Sequence, residues 1–141
     1  MEIISAQNTR VKEWAGLQEK KHRDKTGKYI VEGIHLVQEA LLAEAEVEIL
    51  AYDLDKGMPS ELKAHLQAVQ GMEVIGVSAA VIAKCSSTNT PQPVFAVVRK
   101  EQQGMEGILA KPDSLVVVLD GVQDPGNVGT IIRSADAAGA D

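Results

Sequence analysis

The residues best placed to do chemistry lie in the run DGVQDPGNVGTIIRSADAAG (120–139). It begins where LVVVL (115–119), the most strongly β-forming run of the chain, gives way to a helical pattern, and ligands of open α/β sheets bind at such carboxyl ends of strands. Pro125 and Gly126 shape the turn, Asn127 stands where a helix N-cap is expected, and Gly129 lets a ligand or another backbone come close. Arg133 follows Asn127 by six residues, so on an α-helix it projects roughly 240° away from it. The two can still line one cleft if Asn127 stays in the loop before the helix. Gly121 and Gly126 have the spacing of P-loop glycines, but Asn127 and Val128 occupy the positions that need Lys and Ser or Thr, so the phosphate-binding cation is missing. Of the dinucleotide fingerprint only the half Gly126-x-x-Gly129 is present. The residues alone leave two readings open, an Asn–Arg cleft and a strand-turn-helix with an incidental Arg.

A second candidate is a run of charge. Between residues 10 and 28 stand Arg10, Lys12, Lys20, Lys21, Arg23, Lys25 and Lys28 against Glu13, Glu19 and Asp24, a local charge of +4 in a chain whose formal net charge is −6. Fields are screened beyond roughly 8–10 Å at physiological salt, so a local basic surface can bind phosphate on an acidic protein. The alternative is a solvated charged helix and loop. Elsewhere the signals are weaker. His22, His35 and His65 are far apart and lack the Cys or carboxylate spacing of a zinc site, so no metal is expected. Glu32, His35 and Glu39 read as a hydrogen-bonded surface set, and Cys85, with no activating base in view, as a small half-buried residue.

These residues must be positioned by an α/β framework. Trp14, Tyr29, Tyr52 and Phe95 are the only aromatics, so the core is aliphatic and favours close helix-on-sheet packing. Asn8 can cap a first helix running to about residue 21, with Val11, Trp14, Ala15 and Leu17 inward. HRDKTGK (22–28) reads as a polar turn broken at Gly27, leading to a short strand at 29–31. A helix follows Gly33 with Leu36, Val37, Ala40 and Leu41 on one face. Strand 47–54, helix 60–69, strand 72–77, a helix capped by Ser78 as far as residue 83, and a buried strand 94–98 complete the set. Four strands interleaved with helices imply a largely parallel sheet. KEQQGMEGILAKPD (100–113) reads as a linker with one possible helical turn at 105–109. Beyond it, 115–119 is expected as a strand buried on both faces and about 128–138 as a helix ended by Gly139. No apolar run approaches the roughly 20 residues of a membrane span, MEIISAQNTR is unlike a secretory leader, and a lone cysteine fits a reducing compartment. The chain reads as cytoplasmic.

The run Asn127-x-Gly129-x-x-x-Arg133, preceded by Gln123-Asp124-Pro125 and followed by Ala135 and Gly139, resembles the first signature motif of the SpoU (TrmH-like) RNA 2′-O-ribose methyltransferases. YIVEGIHLVQEAL (29–41) and STNTPQPVFAVV (87–98) resemble two stretches of the domain, similar to ribosomal protein L30e, that precedes the catalytic domain in many members. The resemblance implies an L30e-like α/β/α sandwich that binds RNA (residues 1–105), a linker (106–112), and the first βα unit of a SPOUT trefoil-knot methyltransferase domain (113–141). It also implies methyl transfer from S-adenosylmethionine to a ribose 2′-hydroxyl of ribosomal or transfer RNA, with Arg133 as catalytic residue and Asn127 as its positioning partner. A buried guanidinium beside the ribose would orient phosphate and hydroxyl and stabilise a developing alkoxide. Members carry two further motifs that form the knot and the cofactor pocket. This sequence stops before both, so by itself it is expected to be inactive, to bind no S-adenosylmethionine, and to leave homodimerisation to the full-length parent. The competing function is a non-catalytic L30e-like RNA-binding module.

Overall fold

The computed structural model describes residues 1–66, 71–101, 107, 110 and 112–140. They fall into two compact units, Met1–Glu101 and Gln102–Asp141.

The first unit is an α/β/α sandwich around one five-stranded sheet. Its elements are β1 (Glu2–Ile3), α1 (Thr9–Gly16), α2 (Lys20–Thr26), β2 (Lys28–Glu32), α3 (Ile34–Leu42), β3 (Val47–Asp53), α4 (Ser60–Lys63), β4 (Glu73–Val77), α5 (Ala79–Cys85) and β5 (Val94–Arg99). The strands lie in the order β1-β4-β3-β5-β2. Strand β5 sits between β3 and β2, so the run VFAVV has both faces covered and needs no polar alternation. Its even-numbered residues Val94, Ala96 and Val98 pack with Val37 and Leu41 of α3 and Leu62 of α4. Its odd-numbered Phe95 and Val97 pack with Val11 and Trp14 of α1 and Val81 and Ile82 of α5. Trp14 meets Phe95 edge-on, with ring centroids 5.8 Å apart.

The sheet is not largely parallel as expected. β1–β4 and β3–β4 are parallel, but β5 runs antiparallel to both β3 and β2. Helix α5 has seven residues and spans only roughly 10 Å. It does not carry the chain back along the sheet, so β5 starts at the end where β4 stopped, Tyr52 pairing with Val94 and Asp53 with Val77. In β3 the register shifts between Val47 and Ile49. That bulge at Glu48 places Val47 in one core and Ile49 in the other, although they are two residues apart.

The N-terminal helix also differs. It stops at Gly16, and α2 occupies Lys20–Thr26, where a polar turn was expected. Gly16 is in contact with the ring of His22, which lies 3.3 Å from where a Cβ would be. Arg23 then ties the two helices together by donating to the carbonyls of Leu17 and Gln18 at 3.0 and 2.6 Å. Gly27, at φ 65°, ends α2 as the breaker expected there. In α3, Val37 and Leu41 are buried but Leu36 is 56% exposed, off the inward face on which it was expected. The far end of the expected helix 60–69 lies outside the described residues, as does most of the expected linker; of the possible turn at 105–109 only Gly107 is described, and it is helical.

In the second unit the only element among the described residues is α6 (Pro125–Ala137). Residues 114–120 form no strand. Their side chains from Leu115 to Leu119 are 40–82% exposed, against the expectation of a strand buried on both faces. A strand exists only through a partner's backbone, and no second strand stands in this unit among the described residues.

Phe95 is 2% exposed and fixes Trp14, the only tryptophan. Phe95→Ala should cost the first unit about 3–5 kcal/mol, read as a lower urea midpoint in Trp14 fluorescence. A loss under about 1 kcal/mol would mean that the two cores do not depend on β5.

Candidate functional site

Asp124 caps α6, where Asn127 was expected to. Its Oδ1 accepts from the backbone N–H of Gly126 at 2.6 Å and of Asn127 at 3.1 Å. Pro125 follows as the first helical residue, where a missing N–H costs nothing. Asn127 is therefore inside the first turn and not in the loop before the helix. Six residues apart on one helix, the two side chains point in different directions and sit roughly 9 Å apart along the axis.

Arg133 is instead organised by its own face of α6. Its side chain runs back toward the N-terminus, as long helical side chains do. Nη1 lies 3.5 Å from where a Cβ on Gly129 would be. Nη2 donates to Thr130 Oγ1 at 3.2 Å, and that hydroxyl donates to the carbonyl of Gly126 at 2.9 Å. Among the described residues no carboxylate lies within ion-pair distance of it, and it is exposed rather than buried. The result is a guanidinium held over a glycine with most of its donors free, the arrangement that suits a bidentate oxyanion.

The seven basic residues of 10–28 divide into two groups. Arg10 makes a forked pair with Glu73, at 3.1 and 2.5 Å, and lies 5.3 Å from the Trp14 ring. Lys28 pairs with Glu48 at 2.5 Å, and Arg99 also reaches Glu48. Arg23 is bound to backbone carbonyls as described. These three hold the fold together. Lys12, Lys20, Lys21 and Lys25 are exposed and have no ion pair among the described residues. Lys21 and Lys25 stand one turn apart on α2, a helix with no buried residue.

A third constellation was missed. Glu32 does not join His35 and Glu39. It accepts from Ser86 Oγ, from Ser87 N at 3.1 Å, from Ser87 Oγ at 3.4 Å and from Thr88 Oγ1 at 3.2 Å. Gln92 Oε1 accepts from Ile34 N at 3.0 Å and so caps α3. Gly33 permits this: its φ is 97°, and a Cβ there would lie 2.8 Å from Gln92 Oε1. The polar tract 86–93 is thus pinned to the start of α3 by one carboxylate and one amide. The signal available in the sequence was Glu32-Gly33 at a strand-to-helix junction together with a tract of hydroxyl residues too long for a tight turn. Cys85 is buried rather than half-buried, and burial pushes its thiol up to about 12, so it is inert at neutral pH.

Residues 8–96, more than half of the chain, match the family described as the MRM3-like substrate binding domain, and residues 114–141 match the SpoU rRNA Methylase family. The chain belongs to the family of the MRM3-like substrate binding domain, and its last residues are similar to the SpoU methylases. It is 39% identical to the 23S rRNA (guanosine(2553)-2′-O)-methyltransferase RlmP of Bacillus subtilis, over 99% of this chain and 52% of that protein. Among solved structures it is similar to an rRNA methyltransferase from Sinorhizobium meliloti (TM-score 0.80, 36% identity, 99% of this chain and 52% of that one). It is also similar to the SpoU methyltransferase AviRb from Streptomyces viridochromogenes, solved with the cofactor AdoMet (TM-score 0.79, 30% identity, 95% and 51%). The chain spans about half the length of these relatives. Helix α2 and the Glu32 junction fall within the substrate-binding match, and Asn127, Gly129 and Arg133 within the methylase match.

A recess of about 250 Å³ beside α6 is lined by Val117, Leu119, Ile131, Ile132, Ala135 and Ala140 with Asp136 as its one charge. No helix among the described residues is long and apolar enough to cross a membrane.

The ion pairs of the first unit set its response to acid. Arg10 holds the Glu73 carboxyl below its ordinary value. Partial burial works against the Glu48 charge, but Lys28 and Arg99 outweigh it, and that carboxyl is lowered too. Carboxyls depressed in the folded state contribute stability above their unfolded value of about 4.3 and lose it as the pH falls through the folded value. The melting temperature should therefore decline as the pH is lowered from about 5 toward 3, and Glu73→Gln with Glu48→Gln should flatten that decline. The effect is modest because Arg10 and Glu73 side chains are 33% and 41% exposed. An unchanged acid profile in the double variant would assign the loss to other carboxylates.

Proposed function

We propose that this chain is the RNA-binding domain (1–105) and, past a linker at 106–112, the beginning of the catalytic domain (113–141) of an S-adenosylmethionine-dependent rRNA 2′-O-ribose methyltransferase. The observation that carries this reading is Arg133, an uncommitted guanidinium fixed over Gly129 by Thr130 inside the SpoU methylase match. Relatives named as 23S rRNA methyltransferases support ribosomal over transfer RNA as substrate.

A ribose 2′-hydroxyl is a very weak acid, so its oxygen attacks only if charge developing on it is stabilised. An arginine, always protonated, does not take the proton. Its planar fork can hold a neighbouring phosphate with two N–H groups and aim its field at the developing alkoxide. Asn127 is proposed to position the RNA strand from the first turn of α6 rather than by touching Arg133. The methyl group comes from S-adenosylmethionine, whose pocket this reading assigns to the further half that the relatives possess. We place the protein in the cytoplasm and infer a homodimer in its full-length form.

RNA is taken to dock on Lys12, Lys20, Lys21 and Lys25, with Arg10, Arg23 and Lys28 shaping the surface that presents them. Replacing Lys20, Lys21 and Lys25 with Glu should weaken RNA binding and lower the slope of log K against log salt by roughly 2–3. Binding that keeps its salt slope would move the RNA to another face. If binding survives but no methyl transfer can be reconstituted, the reading as a non-catalytic RNA-binding module takes over.

In a protein joining this chain to that further half, Arg133→Ala should reduce methyl transfer about 10²–10³-fold, with fold and RNA affinity retained, measured by labelled-methyl incorporation. Arg133→Lys should recover little, since it lacks the fork. Near-normal turnover by the alanine variant would remove Arg133 from the mechanism.

A further inference from the structure

Helices α1 and α2 do not close completely over the sheet. Between them and the starts of β3 and β4 the described residues line a recess of about 570 Å³, within the roughly 300–1,000 Å³ of sites that hold small organic groups. Its floor is apolar, made by Trp14, Leu17, Ile49 and Val97, all of them buried. Its walls are two ion pairs that also support the fold, Arg10 with Glu73 and Lys28 with Glu48. Glu13 and Lys25 stand exposed at its mouth.

The charge of the lining decides what kind of group fits. Arg10, Lys25 and Lys28 are balanced by Glu13, Glu48 and Glu73, so neither a bare anion nor a bare cation gains by entering. Both wall cations are paired, and among the described residues a phosphate finds an uncommitted cation only in Lys25 at the mouth. A flat neutral ring with donors and acceptors on its edge meets a better match. The apolar floor takes its face, and the guanidinium, ammonium and carboxylate groups of the walls meet its edge. Arg10 adds a stacking plane. It sits over the Trp14 ring at 5.3 Å, is forked onto Glu73 through both terminal nitrogens, and keeps 33% of its side chain exposed. Bases splayed out of single-stranded RNA stack on such guanidinium planes.

Lys25 links this recess to the RNA surface. It belongs to both, standing in the last turn of α2 with Lys21 one turn before it. A strand whose phosphates lie on Lys20, Lys21 and Lys25 passes the mouth, and a base turned out at Lys25 has the recess beside it. In a duplex, pairing and stacking occupy the edge and faces of a base, so only an unpaired nucleotide can enter. We propose that this recess receives the base of one unpaired RNA nucleotide whose phosphate lies on Lys25. The inference rests on the RNA-binding reading of α2 and names the form of RNA that it takes.

The test is NMR on the 141-residue chain at neutral pH, following the indole N–H of Trp14, the only tryptophan, and the amides of Ile49 and Gly71. Cytidine 5′-monophosphate should shift these signals saturably, and ribose 5-phosphate, which lacks the base, should leave them still. A single-stranded cytidine hexamer should bind at least about tenfold tighter than the mononucleotide, because its other phosphates reach Lys20 and Lys21. The same hexamer annealed to its complement should not move the Trp14 signal. Arg10→Gln should weaken mononucleotide binding about tenfold, with the melting temperature reporting the fold. Glu13→Ala, which keeps both wall pairs, should weaken it as well. Equal shifts from ribose 5-phosphate would mean an anion contact and overturn the proposal. So would a mononucleotide that binds as tightly as the hexamer, since the ligand is then a free nucleotide, or two variants that both bind like the parent. RNA binding that keeps its dependence on Lys20, Lys21 and Lys25 while the recess signals stay still would sink this proposal and leave the RNA-binding reading standing.

Discussion

The first unit depends on burying a strand on both faces. Val94 to Val98 are each at most 2% exposed, and β5 can occupy that position only because α1 and α5 cover one face of the sheet and α3 and α4 the other. Fully burying a Val or Phe side chain is worth about 1.5–3 kcal/mol, so the four of them in this run outweigh any local preference of the flanking segments. This single strand sets the antiparallel direction of β2, the bulge at Glu48 and the end of the sheet at which the 86–93 tract emerges. The Glu32 junction is a consequence. Once β2 and β5 are paired, the residues that follow one and precede the other meet, and their polar groups need partners.

The same packing explains how an acidic protein keeps a basic face. Arg10 and Lys28 are partly buried beside the sheet, and each is matched by a glutamate from β4 or β3. Helix α2 buries nothing, and its lysines have no such partners among the described residues, so they carry the positive charge left over there. A charge sum over the whole chain averages two populations that the fold separates. What binds an anion is the set of cations that the structure has not already used.

The layers and nearly all of the strands were legible in the sequence because apolar periodicity reports burial directly, as in Val37, Leu41 and the unbroken VFAVV. Direction was not legible. Whether β5 runs parallel or antiparallel depends on how far α5 carries the chain, and no residue type encodes that. The break after Gly16 was hidden because the helical pattern that starts at Asn8 runs on to Lys20 and Lys21, and the second helix was hidden because the polar run 22–28 has no apolar face to show one. The cap of α6 was legible but misread. Asp124 and Asn127 are both capping types, yet the proline at 125 marks the first helical position and so identifies the residue before it as the cap.

That one shift of the helix start changes how the motif works. With Asn127 as cap, its side chain would have been spent on backbone N–H groups, and Arg133 would have stood alone. With Asp124 as cap, the carboxylate satisfies the first amides, Asn127 keeps its side chain free in the first turn, and Thr130 passes a hydrogen bond from Arg133 to Gly126. Gly129 lies under the guanidinium, and a Cβ there would stand at ordinary van der Waals distance from Nη1. The spacing Asn127-x-Gly129-x-x-x-Arg133 is best understood as one helical face holding an arginine flat, with an amide on a neighbouring face, and not as two side chains converging on one atom.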